Sequence, residues 1–240
     1  AEVFPGSSLP NAMVQVSPVT KFHSGAGYQY EDSVIYGFTH TNKGHWNLCH
    51  IPLLPVTGTP TPGDYCSPFS HERESAAPGY YQVFLDRYGV DAQLSSTLRC
   101  AFHKYTYPAG AAASLLADLQ RSNEHVRAWD IRKEGDNVFA GWQQTGEKMY
   151  FYAVANRPVT GIEPVVEGDR EVRIVRFGEG DGALELRIGF SFVSEKNARE
   201  NLEAEMLGKS FAEVRSEATA TWNDLLGRIR VEGGTEREKG

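Results

Sequence analysis

The chain has 240 residues and a mass of 26.6 kDa, enough for one large domain or two modest ones to bury a core without disulfide or metal staples. With 31 acidic against 24 basic side chains it carries a formal charge of -7 and an isoelectric point near 5.5, which argues against sequence-independent binding of nucleic acid. Cys49, Cys66 and Cys100 allow at most one disulfide and form no Cys-x-x-Cys pair, and no apolar run approaches the roughly 20 residues of a membrane-spanning helix.

The first quarter is poor in charge. Residues 1 to 60 carry only Glu2, Lys21, Glu31, Asp32 and Lys43, a quiet surface that suits a ligand or another domain. Met13 to Val16 alternates like a half-buried strand that Ser17-Pro18 ends, and Ser33 to Thr39 is a β-branched and aromatic strand. That strand delivers Gly37 to Pro55, in which His40, Asn42, His45, Trp46, Asn47 and His50 fall within eleven positions. Prolines and glycines punctuate Leu53 to Pro68, which reads as a surface connection and excludes helix.

From Gly79 onward the period is two. Tyr81 to Leu85 and Val90 to Leu94 flank Asp86-Arg87-Tyr88-Gly89 as a hairpin, and Leu98 to Tyr107 puts Cys100 and Phe102 on one face with His103, Tyr105 and Tyr107 on the other. Further strands are expected at 114–119, 126–131, 138–143 and 149–155. The clearest, Leu184 to Phe192, follows the Gly178 to Gly182 turn and a partner strand at Val172 to Phe177. Many strands with short turns mean a mainly β fold, a sandwich or barrel. After Val193 the period becomes about 3.6. Ser194 caps a first helix, Gly208 stops it, and Ser210 with Glu213 forms a capping box for a second. On that second helix Phe211, Val214, Ala218, Trp222, Leu225 and Ile229 make an apolar stripe that wants a partner surface.

The dense group around Trp46 is the candidate ligand site. An indole covers the C–H face of a sugar while amides and imidazoles reach its hydroxyls, so Trp46, His45, Asn42, Asn47 and His40 are the candidate sugar-binding residues. Trp46 has a second reading as an anchor packed into the domain, and His40 a structural one. No Gly-x-Ser-x-Gly turn marks a serine nucleophile, and Cys49 beside His50 would point to opposite faces of a strand. The five-residue spacing of His40, His45 and His50 matches no common zinc site, and the acids in Gly178 to Gly182 would repel phosphate. Glycoside hydrolysis needs two carboxyl groups flanking a bond, and no such tuned pair stands out near the loop. The chain therefore offers no catalytic residue and no metal ligand of its own.

A family pattern emerges from Phe4-Pro5-Gly6, Met13 to Pro18, Tyr36-Gly37-Phe38-Thr39-His40-Thr41, Ser67 to Glu72 and Ala77 to Val83. It continues through Ile188 to Ser194, Asn197 to Glu205 and Val231 to Thr235. Taken together, these blocks resemble the N-terminal domain of glycoside hydrolase family 92, the calcium-dependent exo-α-mannosidases. The resemblance implies a large antiparallel β-sandwich of the supersandwich type over residues 1–193. A helical linker over 194–230 would lead to an (α/α)6-barrel domain, and 231–240 would be the start of that domain or a tail. In that family the barrel holds the acid, the base and most calcium ligands and works with inversion, so this chain alone is expected to be inactive and to hold no calcium itself. It further implies an α-mannoside glycan as partner and a secreted, periplasmic or cell-surface location. Trp46 is the implied stacking residue for the sugar next to the cleaved mannose. Many members continue His-Thr with a Ser-Gly-Thr-Gly run and an Asp, where this chain has Asn42-Lys43-Gly44-His45-Trp46-Asn47. Two rivals stand beside this reading: a stand-alone carbohydrate-binding module and a structural docking domain without ligand contact. The exposed apolar faces also imply self-association of the chain.

Overall fold

The computed structural model describes residues 3–44, 46–229, 232–235 and 237. Two antiparallel sheets dominate. The seven-stranded sheet runs, edge to edge, Ser7–Ser8, Gln15–Val19, Gly37–Thr39, Leu53–Val56, Ser114–Ala117, Arg170–Phe177 and Val159–Glu167. The eight-stranded sheet runs Ala128–Lys133, Val138–Gln144, Lys148–Ala155, Leu184–Ser191, Cys100–Thr106, Val90–Ser96, Tyr80–Leu85 and Glu74–Ala77. Their inner faces interdigitate in one core, to which Leu53, Leu115 and Ile174 come from the first sheet and Val83, Phe151 and Phe190 from the second. This is the expected antiparallel sandwich.

Alternation builds the second sheet. Along Lys148–Ala155, Met149, Phe151, Ala153 and Ala155 are buried while Lys148, Tyr150, Tyr152 and Val154 are only half-buried. Two helices then cover part of its outer face. The first, α1 (Glu195–Glu205), is capped by Ser194, whose side chain accepts from the Asn197 N–H. The second, α2 (Phe211–Leu226), starts at a complete capping box of Ser210 and Glu213. Leu202, Met206, Phe211 and Val214 form a second apolar cluster with Tyr80, Cys100 and Phe102 of the sheet. Gly189 permits the approach, because a Cβ there would lie 2.1 Å from the Ala198 carbonyl oxygen.

Several local expectations are overturned. Leu53–Val56 is a wholly buried central strand, and Pro55 is tolerated in it opposite Leu115. The strand at Gln15 runs through Pro18 to Val19, since its pairing with Ser7–Ser8 stops at Val16 and leaves the later edge free of a neighbour that would need the missing N–H. Residues 33–39 divide: Val34–Ile35 pairs with Ser67–Pro68, while Gly37–Thr39 joins the large sheet. Strands 170–177 and 184–191 are not a hairpin, because the Gly178 to Gly182 segment carries the chain from one sheet to the other. The stripe on α2 is also partly used within the chain, with Phe211, Val214 and Ala218 buried on the sandwich and the Trp222 indole N–H donating to the Ser8 carbonyl at 2.7 Å.

Candidate functional site

The segment after Thr39 folds into a small hairpin, Asn42–Lys43 against Trp46–Asn47, standing off the end of the seven-stranded sheet. The Asn42 amide donates to the Gly44 carbonyl at 2.8 Å, so it holds the turn. Trp46 is 52 % exposed. It lines a recess of about 430 Å³ together with His23, Lys43, Asn47, Leu48, Asn123 and Glu124. His45 lies outside the described residues.

Asn47 is buried at the base of this recess. Its side-chain oxygen accepts from the Cys49 N–H at 2.8 Å, its amide donates to Thr39 Oγ1 at 3.1 Å, and its carbonyl accepts from the Asn123 amide at 2.6 Å. Asn123 in turn accepts from the His23 N–H at 2.6 Å. These bonds lock three separate segments around the indole. His40 departs from its expected role: it is wholly buried between the sheets, its Nε2 3.0 Å from His103 Nε2, where no solvent-borne sugar reaches it. Cys49 and His50 are not neighbours on a strand, since Cys49 adopts φ 54°, and burial pushes the Cys49 thiol up to about 12, leaving it unreactive at neutral pH.

Glu124 is the residue that the sequence pattern did not single out. Its carboxylate, 41 % exposed in the recess, accepts from Thr145 Oγ1 at 2.7 Å and from His50 Nε2 at 2.9 Å. Because the Glu124 carboxylate only accepts, His50 Nε2 carries the proton, and Nδ1, 2.8 Å from Thr41 Oγ1, accepts from that hydroxyl. Burial keeps His50 below the ordinary imidazole value despite the opposing pull of Glu124. Burial alone would raise Glu124, but the bonds from Thr145 and His50 and the nearby Lys43 outweigh it and hold the carboxyl low. The recess thus presents an ionised acceptor beside an indole. Among the described residues that line it, Glu124 is the one carboxylate.

The backbone beneath is tightly specified. Ile51 sits at φ 53°, a costly conformation for a β-branched residue, and its N–H donates to Gln143 Oε1 at 2.8 Å. The Gln143 amide donates on to the carbonyls of Leu119 and Arg121, both at 2.9 Å. One buried side chain therefore clamps the corner that aims the hairpin.

The N-terminal domain model of glycosyl hydrolase family 92 matches residues 1–202, and the catalytic domain model of the same family matches residues 197–240. Among solved structures, a family 92 α-mannosidase of Bacteroides thetaiotaomicron superposes with a TM-score of 0.88 at 24 % identity, over 98 % of this chain and 37 % of that one. The same enzyme in complex with mannoimidazole gives a TM-score of 0.87 at 25 % identity, over 97 % and 36 %. A curated protein of Arthroderma benhamiae, named an uncharacterized secreted glycosidase, is 24 % identical over 96 % of this chain and 37 % of its own length. The chain thus spans little more than a third of the relatives it matches. By the family model that covers most of its length, the chain belongs to glycosyl hydrolase family 92, as its N-terminal domain.

Proposed function

We propose that this chain is the non-catalytic β-sandwich portion of an exo-acting, inverting α-mannosidase, and that the Trp46 recess holds the sugar next to the mannose being released. The supporting observation is the pairing of a half-exposed indole with the low-lying Glu124 carboxylate in one recess. The ring gives a flat apolar face, and the carboxylate accepts from hydroxyls, the two contacts a neutral hexose requires. Lone Glu124 does not supply the acid and base of hydrolysis, which need two carboxyls about 6.5–9.5 Å apart for inversion. In this reading the acid and base come from a following (α/α)6-barrel domain, and the sandwich governs which glycan is accepted. The reading also places the protein outside the cytoplasm, in line with the secreted glycosidase it resembles.

Calcium belongs to this reading only through the following domain. Among the described residues no three carboxylate, imidazole or thiol side chains gather as a cation cage needs.

Calorimetry of the chain with α-mannobiose tests the proposal. Millimolar or tighter binding that weakens about tenfold in Trp46→Ala is expected, with the far-ultraviolet circular dichroism of the folded chain retained. Absence of binding would reduce the sandwich to a docking domain. Release of the aryl group from an aryl α-mannoside by the chain alone would overturn its non-catalytic assignment.

A further inference from the structure

A second recess, larger than the first at about 600 Å³, opens between Phe4-Pro5 and the loop of Tyr28 to Glu31, with His71 and Glu74 at its base. Nothing in the reading of Trp46 uses it, although the 67–72 block supplies His71 to its lining.

Its polar groups are arranged around one carboxylate. Glu74 accepts from the Tyr28 hydroxyl at 3.0 Å, the Tyr81 hydroxyl at 2.6 Å and His71 Nδ1 at 2.6 Å. The other ring nitrogen, His71 Nε2, lies 2.7 Å from the Tyr30 carbonyl oxygen. Both partners of His71 only accept, so both ring nitrogens donate and the ring is an imidazolium. The bond to Glu74 raises the His71 pKa accordingly. The base of the recess is thus an internally neutralised ion pair with its lone pairs largely used. It attracts neither a metal ion nor a free anion strongly.

The wall has the opposite character. Tyr30 is 64 % exposed, and its ring stacks on His71 with centroids 4.0 Å apart and planes 4° apart. One face of the phenol is backed by a charged ring that is itself bonded at both ends, so the platform is rigid before any ligand arrives. At the rim, the side chains of Gln29 and Glu31 make no hydrogen bond among the described residues and stand ready to bond hydroxyls. Phe4 and Pro5 close the far side with apolar surface.

The two recesses flank one segment. The Asn47 N–H donates to the Gly25 carbonyl at 2.9 Å, and a Cβ on Gly27 would meet the Asn47 amide at 2.9 Å, while Tyr28 follows directly in the second recess. Segment 25–30 therefore joins Asn47 of the Trp46 recess to Tyr28, Gln29 and Tyr30 of the second recess.

From this geometry we propose that the Tyr30 recess is a separate binding subsite for a neutral, polyhydroxylated ring, a second hexose unit of the glycan, stacked on Tyr30 and bonded by Gln29 and Glu31. The identity of the hexose rests on the mannoside reading above; the recess, its platform and its neutral floor do not. His71 is a positioning residue here, since it holds Tyr30 and is not itself the contact.

The test is an NMR titration of the chain with methyl α-mannoside, following the ring signals of Tyr30, His71 and Trp46. Saturable shifts of Tyr30 and His71 with a midpoint in the millimolar range, below about 50 mM, are expected. In Tyr30→Ala the His71 response should weaken about tenfold while the Trp46 response and the thermal midpoint stay as they were. In Gln29→Ala the Tyr30 and His71 responses should weaken with stability unchanged. Shifts confined to Trp46 would overturn the subsite and leave the Trp46 reading standing. Shifts confined to Tyr30 and His71 would support the subsite and count against the Trp46 reading. Silence of all three rings, or a His71 response indifferent to Tyr30→Ala, would overturn the subsite.

Discussion

His40 and His103 meet Nε2 to Nε2 at 3.0 Å, both wholly buried between the sheets, and His103 Nδ1 lies 2.5 Å from the Tyr105 hydroxyl. Burial lowers His40 to about 3 and His103 well below the ordinary imidazole value of 6.5. The unfolded chain takes up these protons below pH 6.5 while the folded chain refuses them, so stability is lost as pH falls. Each pH unit below that value costs about 1.4 kcal/mol per imidazole until the folded rings protonate. Urea unfolding should show a fall of at least about 2 kcal/mol between pH 7 and pH 5, with a shallower slope in His103→Gln. His71 acts with the opposite sign: its raised pKa gives stability that is present at low pH and lost as pH rises through the folded value. A stability that stays level or increases on acidification would contradict the neutral pair. Trp46 and its amides were legible in the sequence because they are crowded into one loop. Glu124 was not, since it reaches His50 across 74 positions from an irregular segment whose own pattern says only that it is polar.

At the level of elements, alternation made most of the eight-stranded sheet readable, including the faces of Cys100–Thr106 and Leu184–Ser191. It failed where a strand is short and buried at every position, or exposed along most of its length. Leu53–Val56 is buried throughout and contains a proline, so its sequence looks like a connection. Val159–Glu167, which sequence patterning did not reveal, is an edge strand with Pro164 and a mostly exposed face. Two element contacts carry measurable weight. In Gly189→Ala the new methyl would drive α1 off the sheet, with an expected loss of about 1–3 kcal/mol in urea unfolding. In Gln143→Ala the Ile51 N–H, the buried Leu119 carbonyl and the part-buried Arg121 carbonyl lose their partner, and a loss of about 2–4 kcal/mol is expected. The second variant should also relax the corner at Ile51, so the exposed Trp46 should change its fluorescence well before global unfolding. Coincident loss of both signals in Gln143→Ala would mean that the corner does not depend on this clamp.

For the molecule as a whole, the distribution of apolar surface matters more than its amount. The first half of α2 is satisfied by the sandwich, but Leu225 and Leu226 at its end, and Ile229 beyond it rather than on the helix as expected, are 37 %, 59 % and 84 % exposed. Beside them lies an apolar recess of about 380 Å³ lined by Phe4, Pro5, Pro78, Trp222 and Leu226. Such a surface is the natural seat for a following helical domain in the reading proposed here. Where no such domain covers it, a second copy of the chain gains the same burial, about 1.5–3 kcal/mol for each large side chain removed from water. Sedimentation of the 240-residue chain should then show an average mass that rises above 26.6 kDa with concentration. The double variant Leu226→Glu, Ile229→Glu should sediment as a monomer, since each carboxylate would have to be desolvated at the contact. The net charge of -7 opposes close approach, so the association should strengthen with added salt as the repulsion is screened. A mass that stays at 26.6 kDa at every concentration and salt level would show that the stripe is too small to hold two copies together.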